Sequence, residues 1–84
     1  MPTITVYTSK FCSFCENTKR FLHQKGFSYQ EIDLTNDPNK REELSTKHNW
    51  RTVPMIFIGE ELIGGFQDLI KLDESGELDK KIKQ

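Results

Sequence analysis

The chain has 84 residues, 35% hydrophobic and 30% charged, with a formal net charge of -1 at pH 7. That length bounds it to one domain, residues 1–84, because a chain this short hides only roughly 60% of its unfolded surface. The apolar content excludes a disordered chain, the flat charge balance gives no reason to expect a nucleic acid, and no apolar run approaches the roughly 20 residues that span a bilayer, so no membrane partner is expected.

The start, Met1-Pro2-Thr3-Ile4-Thr5-Val6-Tyr7, lacks the basic and apolar regions of a secretory signal, and a cytosolic (cytoplasmic) location is the expectation. Thr3 to Tyr7 alternates with β-branched and aromatic residues and is predicted as a strand. Thr8 to Phe11 forms a loop. From about Cys12 to Lys25 a helix is predicted, with Phe14, Cys15, Phe21 and Leu22, and Thr18 between them, on one face. Gly26 suits its C-terminal cap. Ser28 to Leu34 is a second strand.

Asp37 and Pro38 are placed as N-cap and first residue of a helix reaching about His48. Its apolar face is thin, chiefly Leu44. Thr52 to Ile58 carries the strongest strand pattern, interrupted by Pro54. Gly59-Glu60-Glu61 is a turn, Leu62-Ile63 a short fourth strand, and Gly64-Gly65 leads into a helix from about Phe66 to Asp73, with Leu69 and Ile70 inward. Leu78 and Ile82 suit a short terminal helix. Strand, helix, strand, helix, hairpin, helix predicts an α/β domain. Its sheet is mixed and four-stranded, the first two strands parallel across a right-handed crossover, with helices on both faces.

Both cysteines lie in Cys12-Ser13-Phe14-Cys15. Two are too few for a secreted disulfide scaffold, and in a reducing compartment this spacing points to redox or metal chemistry. A zinc site needs two more ligands, and His23 and His48 lack tight-pair spacing, so no metal site is expected. At a helix start, Cys12 meets unpaired N–H groups and the positive end of the macrodipole, and Lys10 can add a cation. At the ordinary cysteine pKa of about 8.5, only roughly 3% is thiolate at pH 7; a fall of about three units, roughly 4 kcal/mol, makes the thiolate dominant. Cys15, one turn on and facing the core, is within disulfide reach and is expected to be the resolving thiol.

Cys12-Ser13-Phe14-Cys15 after a first strand, Thr52-Val53-Pro54 before a third, and Gly64-Gly65-Phe66-Gln67-Asp68 after a fourth together resemble the dithiol glutaredoxins over almost the whole chain. The resemblance implies a single glutaredoxin domain with a thioredoxin-like fold, a cis Val53–Pro54 bond facing the cysteines, and a glutathione-dependent oxidoreductase that reduces protein–glutathione mixed disulfides and protein disulfides. It implies glutathione as co-substrate, no tightly bound cofactor, glutathionylated or disulfide-bearing proteins as partners, and a monomer. Val53 would pair strand-like with the cysteine part of glutathione, flanked by Phe14, Thr52 and Pro54. Gly65, Phe66 and Asp68 would hold its γ-glutamyl end. For Asp68, a ligand role and a helix-cap role stand side by side. Lys10 and Arg51 are candidates for the glycine-end carboxylate and equally suit solvated surface cations.

The chain departs from the common Cys-Pro-Tyr-Cys. Phe14 has no hydroxyl, and Ser13 is found in relatives that hold a [2Fe-2S] cluster between two subunits with glutathione as co-ligand. An iron–sulfur carrier or sensor using Cys12 is therefore the alternative. A thioredoxin-like reductase is a further rival, against which stand Phe11 before Cys12 and the Gly-Gly-x-x-Asp site. Trp50 is expected to pack under the loop before the third strand, and His23 to lie on the surface.

Overall fold

The computed structural model describes residues 2–83. Strand β1 (Ile4–Thr8) alternates as its sequence suggests, with Ile4, Val6 and Thr8 buried. It pairs in parallel with β2 (Tyr29–Asp33) and antiparallel with β3 (Met55–Ile58), and β3 pairs antiparallel with β4 (Glu61–Gly64). The order β2-β1-β3-β4 is the mixed four-stranded sheet expected. The register Val6↔Ile56 places β1 and β3 at the centre.

All four residues of β3 are buried, which requires cover on both faces. Ile56 and Ile58 join Ile4, Val6 and Leu22 of α1 (Ser13–Lys25), Leu69 of α3 (Phe66–Ser75), and Leu78 and Ile82 of α4 (Glu77–Ile82). Met55 and Phe57 join Leu34 and Leu44 of α2 (Pro38–His48) in a second, smaller cluster. Three helices thus cover one face and one covers the other. Trp50, expected under the loop before the third strand, packs against the smaller cluster.

The helix ends follow local chemistry. Gly26 ends α1 with φ 76°, donating its N–H to the carbonyls of His23 and Leu22. In α2 the Asp37 carboxylate accepts the Lys40 N–H at 3.1 Å and Pro38 opens the helix, while Asn49 closes it with φ 52°. The Gly26 end and the Asp37–Pro38 start match the sequence expectation, whereas the Asn49 cap was not read from it.

Several boundaries differ for physical reasons. β3 starts at Met55 rather than Thr52, because Pro54 has no amide hydrogen to give the ladder. Among the residues expected on the inner face of α1, Cys15, Thr18 and Leu22 are buried but Phe14 is half exposed. Phe14 lies in the first turn, where side chains lean toward the helix N-terminus, and its ring meets Phe66 at 6.2 Å instead of the core. In α3, Leu69 is buried and Leu72 packs on the core, three residues apart, leaving Ile70 only half buried.

A chain of hydrogen bonds ties the loop ahead of α1 to the end of β2. The Lys10 N–H donates to the Thr35 hydroxyl at 2.9 Å, the Thr35 N–H donates to Asp33 Oδ1 at 2.8 Å, and the Leu34 N–H donates to the Thr8 carbonyl at 2.8 Å. The Thr35 hydroxyl, and then the Thr35 amide, hold the Asp33 carboxyl below the ordinary carboxylate range. A carboxyl lowered by folding stabilises the fold above its unfolded pKa of about 3.9, and that contribution disappears as pH falls through the lower folded value. Urea midpoints of wild type and Asp33→Asn, measured across this range, should therefore differ by a constant amount above about pH 5 and converge in stronger acid. Curves separated equally at every pH would contradict the assignment.

Candidate active site

The loop that follows β1 brings Cys12 to the N-cap of α1, with extended backbone (φ -109°, ψ 103°). In that position its side chain turns back over the first helical turn, and Sγ accepts the Cys15 N–H at 3.0 Å. The Cys12 carbonyl accepts the Glu16 N–H at 3.2 Å. Cys12 and Cys15 are joined as a disulfide with Cα atoms 5.2 Å apart, so the chain is described in its oxidised form. Their exposures differ as expected: Cys15 is buried on the inner stripe of α1, whereas Cys12 reaches solvent.

Beside this turn one cation serves two carboxylates. Glu16, in the first turn of α1, would oppose negative charge on Cys12, but Lys19 Nζ lies 3.0 Å from its carboxylate and 3.1 Å from that of Glu31. Hydrogen bonds to Glu16 and then Glu31 raise the Lys19 pKa, so it stays charged throughout the physiological range. Glu31 is held in turn by the buried Thr8 hydroxyl, which donates to it at 2.8 Å.

Beside the disulfide runs a groove of about 400 Å³, lined by Phe14, Trp50, Thr52, Val53, Pro54, Gly65, Phe66, Gln67 and Asp68. A volume of this order suits a small peptide-sized ligand. Cys12 Sγ lies 3.7 Å from the Val53 carbonyl oxygen, which sets the sulfur at the groove's edge. The Val53–Pro54 bond is cis, as the resemblance implied. A cavity of about 450 Å³ lies elsewhere, between Pro2, Ile4, Phe27, Tyr29 and Ile82, and no cysteine borders it.

The opposite wall depends on two glycines. The Gly65 N–H donates to Asp68 Oδ2 at 3.0 Å, so Asp68 caps its own helix. One carboxylate oxygen is thereby committed to the helix-cap reading, and the same side chain also lines the groove. Gly64 has φ 122°, and a β-carbon there would lie 2.5 Å from Asp68 Oδ2 and 2.8 Å from Asp68 Cγ. A β-carbon on Gly65 would meet nothing closer than Trp50 Cζ2 at 3.7 Å.

Seven candidates drawn from three separate segments, Phe14, Thr52, Val53, Pro54, Gly65, Phe66 and Asp68, share this groove. Lys10 and Arg51 are exposed and do not line it. Trp50 and Gln67 line it without having been singled out. Gln67 sits inside the Gly-Gly-Phe-Gln-Asp run and could have been read from it. Trp50 carried no such signal; its indole Nε1 is buried without a hydrogen-bond partner among the described residues. Among those residues no group of three or more His, Cys, Asp or Glu comes together as a metal site, and no observation carries the iron–sulfur alternative further. No described helix is long and apolar enough to cross a membrane.

Comparison with known proteins agrees with this arrangement. The glutaredoxin family model matches residues 4–63. A glutaredoxin of Pseudomonas aeruginosa is 42% identical over 79 residues, covering 94% of each chain. Glutaredoxin 3 of Escherichia coli (strain K12) is 40% identical over 83 residues, covering 99% of this chain and 100% of the relative. Among solved structures, the buckwheat glutaredoxin–glutathione complex superposes with a TM-score of 0.89 at 28% identity, covering 98% of this chain and 77% of that one. The solution structure of the Brucella melitensis glutaredoxin gives 0.85 at 35% identity, covering 100% and 94%.

The two glycines should respond differently to a methyl group. Gly64→Ala is expected to lower unfolding stability by about 1–3 kcal/mol, from its left-handed backbone and the collision with Asp68. Gly65→Ala, at the N-cap of α3 where alanine is a poorer residue than glycine, should lose less, about 0.5–1 kcal/mol. Urea denaturation of both variants checks this, and equal losses would contradict it.

Proposed function

The chain belongs to the glutaredoxin family, and on that premise we propose that it is a glutathione-dependent thiol–disulfide oxidoreductase with Cys12 as nucleophile and Cys15 as resolving thiol. Family and motif support a thiol–disulfide oxidoreductase in general. The observation that carries the finer reading is the position of Cys12 Sγ, capped by the Cys15 N–H and 3.7 Å from the Val53 carbonyl at the edge of a groove. A thiolate there gains from a charge-assisted hydrogen bond and from the helix N-terminus.

In this reading glutathione lies along the groove with its cysteine paired to the Val53 backbone. Phe14, Thr52 and Pro54 form the near side, and Gly65 lets the γ-glutamyl end approach. The Phe66 N–H, at the start of α3, accommodates the γ-glutamyl carboxylate. The Asp68 oxygen not used for capping accepts the α-ammonium. Lys10 and Arg51 act from the rim on the glycine carboxylate, as long cations in solvent rather than as walls of the groove. The buckwheat relative was solved as a complex with glutathione, which supports the same ligand class for this chain.

The reduced Cys12 thiolate attacks the glutathione sulfur of a glutathionylated protein. A Cys12–glutathione disulfide forms, and the protein sulfur leaves as a thiolate that takes a proton from solvent. A second glutathione thiolate then attacks the bound glutathione's sulfur, releasing glutathione disulfide and regenerating the Cys12 thiolate. With a protein disulfide, Cys12 attacks one sulfur and Cys15 then attacks Cys12. The substrate leaves as a dithiol and the chain as the Cys12–Cys15 disulfide. Two glutathiones restore the dithiol. We extend the proposal to a monomer acting in the cytosol.

A glutathione mixed-disulfide reduction assay tests the division of roles. Cys12→Ser should abolish turnover, whereas Cys15→Ser should retain most of it on mixed disulfides and lose most of it on protein disulfides. Equal losses in the two variants on the mixed disulfide would reject the assignment.

A further inference from the structure

Only two large hydrophobic side chains among the described residues are exposed, and they flank Cys12 on either side: Phe14, 50% exposed, and Phe11, 105% exposed. Phe14 belongs to the groove. Phe11 does not line it. Its backbone has φ 58°, in the left-handed region that favours glycine or asparagine. A phenyl ring is thus held fully in solvent, on a backbone that disfavours it, at the residue before the nucleophile. Single exposed apolar residues are common and mean little alone. Here exposure and backbone conformation coincide at a residue bonded to the reacting one, where such conformations cluster.

From this placement we infer that Phe11 docks an apolar side chain next to the cysteine of a polypeptide disulfide substrate. The occupant follows from covalent reach. A disulfide joins Cα atoms roughly 4.4–6.8 Å apart and neighbouring Cα atoms are about 3.8 Å apart, so a peptide bonded to Cys12 brings its own backbone within roughly 11 Å of the Phe11 Cα. At that distance the side chains flanking the substrate cysteine are within reach of the ring. Glutathione offers no apolar side chain of its own and has its place in the groove, so the ring serves the other partner. This inference rests on the proposed thiol-exchange reading, with Cys12 as nucleophile.

The test compares wild type and Phe11→Gly on three substrates: a small peptide disulfide whose cysteines are flanked by leucine, the same peptide flanked by serine, and hydroxyethyl disulfide. Glycine suits φ 58°, so the variant should fold, and urea denaturation checks that it does. For the leucine peptide, kcat/KM should fall about tenfold, the size expected for losing part of a phenyl contact. The serine peptide and hydroxyethyl disulfide should change less than twofold, and Phe11→Leu should recover much of the loss. Equal kcat/KM in wild type and Phe11→Gly on the leucine peptide would overturn the inference, as would parallel falls on all three substrates. Each assay is run with glutathione and with dithiothreitol. Turnover of wild type with dithiothreitol but none with glutathione would overturn the glutathione reading while leaving the Phe11 comparison intact.

Discussion

Cys12 occupies the N-cap of α1, where serine, threonine, asparagine or aspartate would ordinarily supply an oxygen to the free amides of the first turn. Its sulfur takes that place and accepts the Cys15 N–H at 3.0 Å. In the reduced form the same geometry favours the thiolate, because the amide is a fixed donor that needs no reorganisation when charge appears. A hydrogen bond to a charged group contributes about 1.5–3 kcal/mol and the helix terminus about 0.3–1 kcal/mol. The Cys15 amide is itself one of the free groups of the helix terminus, so the two contributions overlap, and both act to lower the Cys12 pKa. The Glu16 carboxylate opposes this, but it is exposed and paired with Lys19, and an exposed charge pair is worth only about 0–1 kcal/mol. The favourable terms win.

Everything else in the fold serves to bring other segments to this turn. β1 and β3 run side by side in the centre of the sheet, so the loop leaving β1 and the Thr52-Val53-Pro54 stretch entering β3 meet at one end. β4 returns beside β3 and delivers Gly64-Gly65 to the same end, where α3 begins. The groove is therefore a product of strand order: three segments far apart in sequence are placed within one small-ligand length by a four-stranded ladder. Clusters on both faces of β3 keep that ladder rigid.

Much of this was legible in the residues because each signal had one local cause. Alternation marked β1, Asp37-Pro38 and Gly26 marked helix ends, and spacing put both cysteines on one turn. What resisted reading depended on tertiary placement. Phe14 sits in register with a buried helical stripe, yet it lies in the first turn, and the ring turns to Phe66. Pro54 looked like an interruption within a strand, whereas it stands just outside one. Asp68 could be weighed only as cap or ligand until the Gly65 N–H was seen to use one of its oxygens. Trp50 lies outside every motif, and only the approach of its ring to Gly65 places it on the groove. Phe11 served only to set the chain apart from a thioredoxin-like reductase, since neither full exposure nor a left-handed backbone is written in local composition.

The proposed chemistry stands or falls with the ionisation of one sulfur. Ultraviolet thiolate absorbance, followed against pH in the reduced Cys15→Ser variant, isolates Cys12 from its partner. The geometry predicts a midpoint below the ordinary cysteine value of about 8.5. A midpoint at or above that value would mean that the helix start does not activate the thiol, and would contradict the central claim.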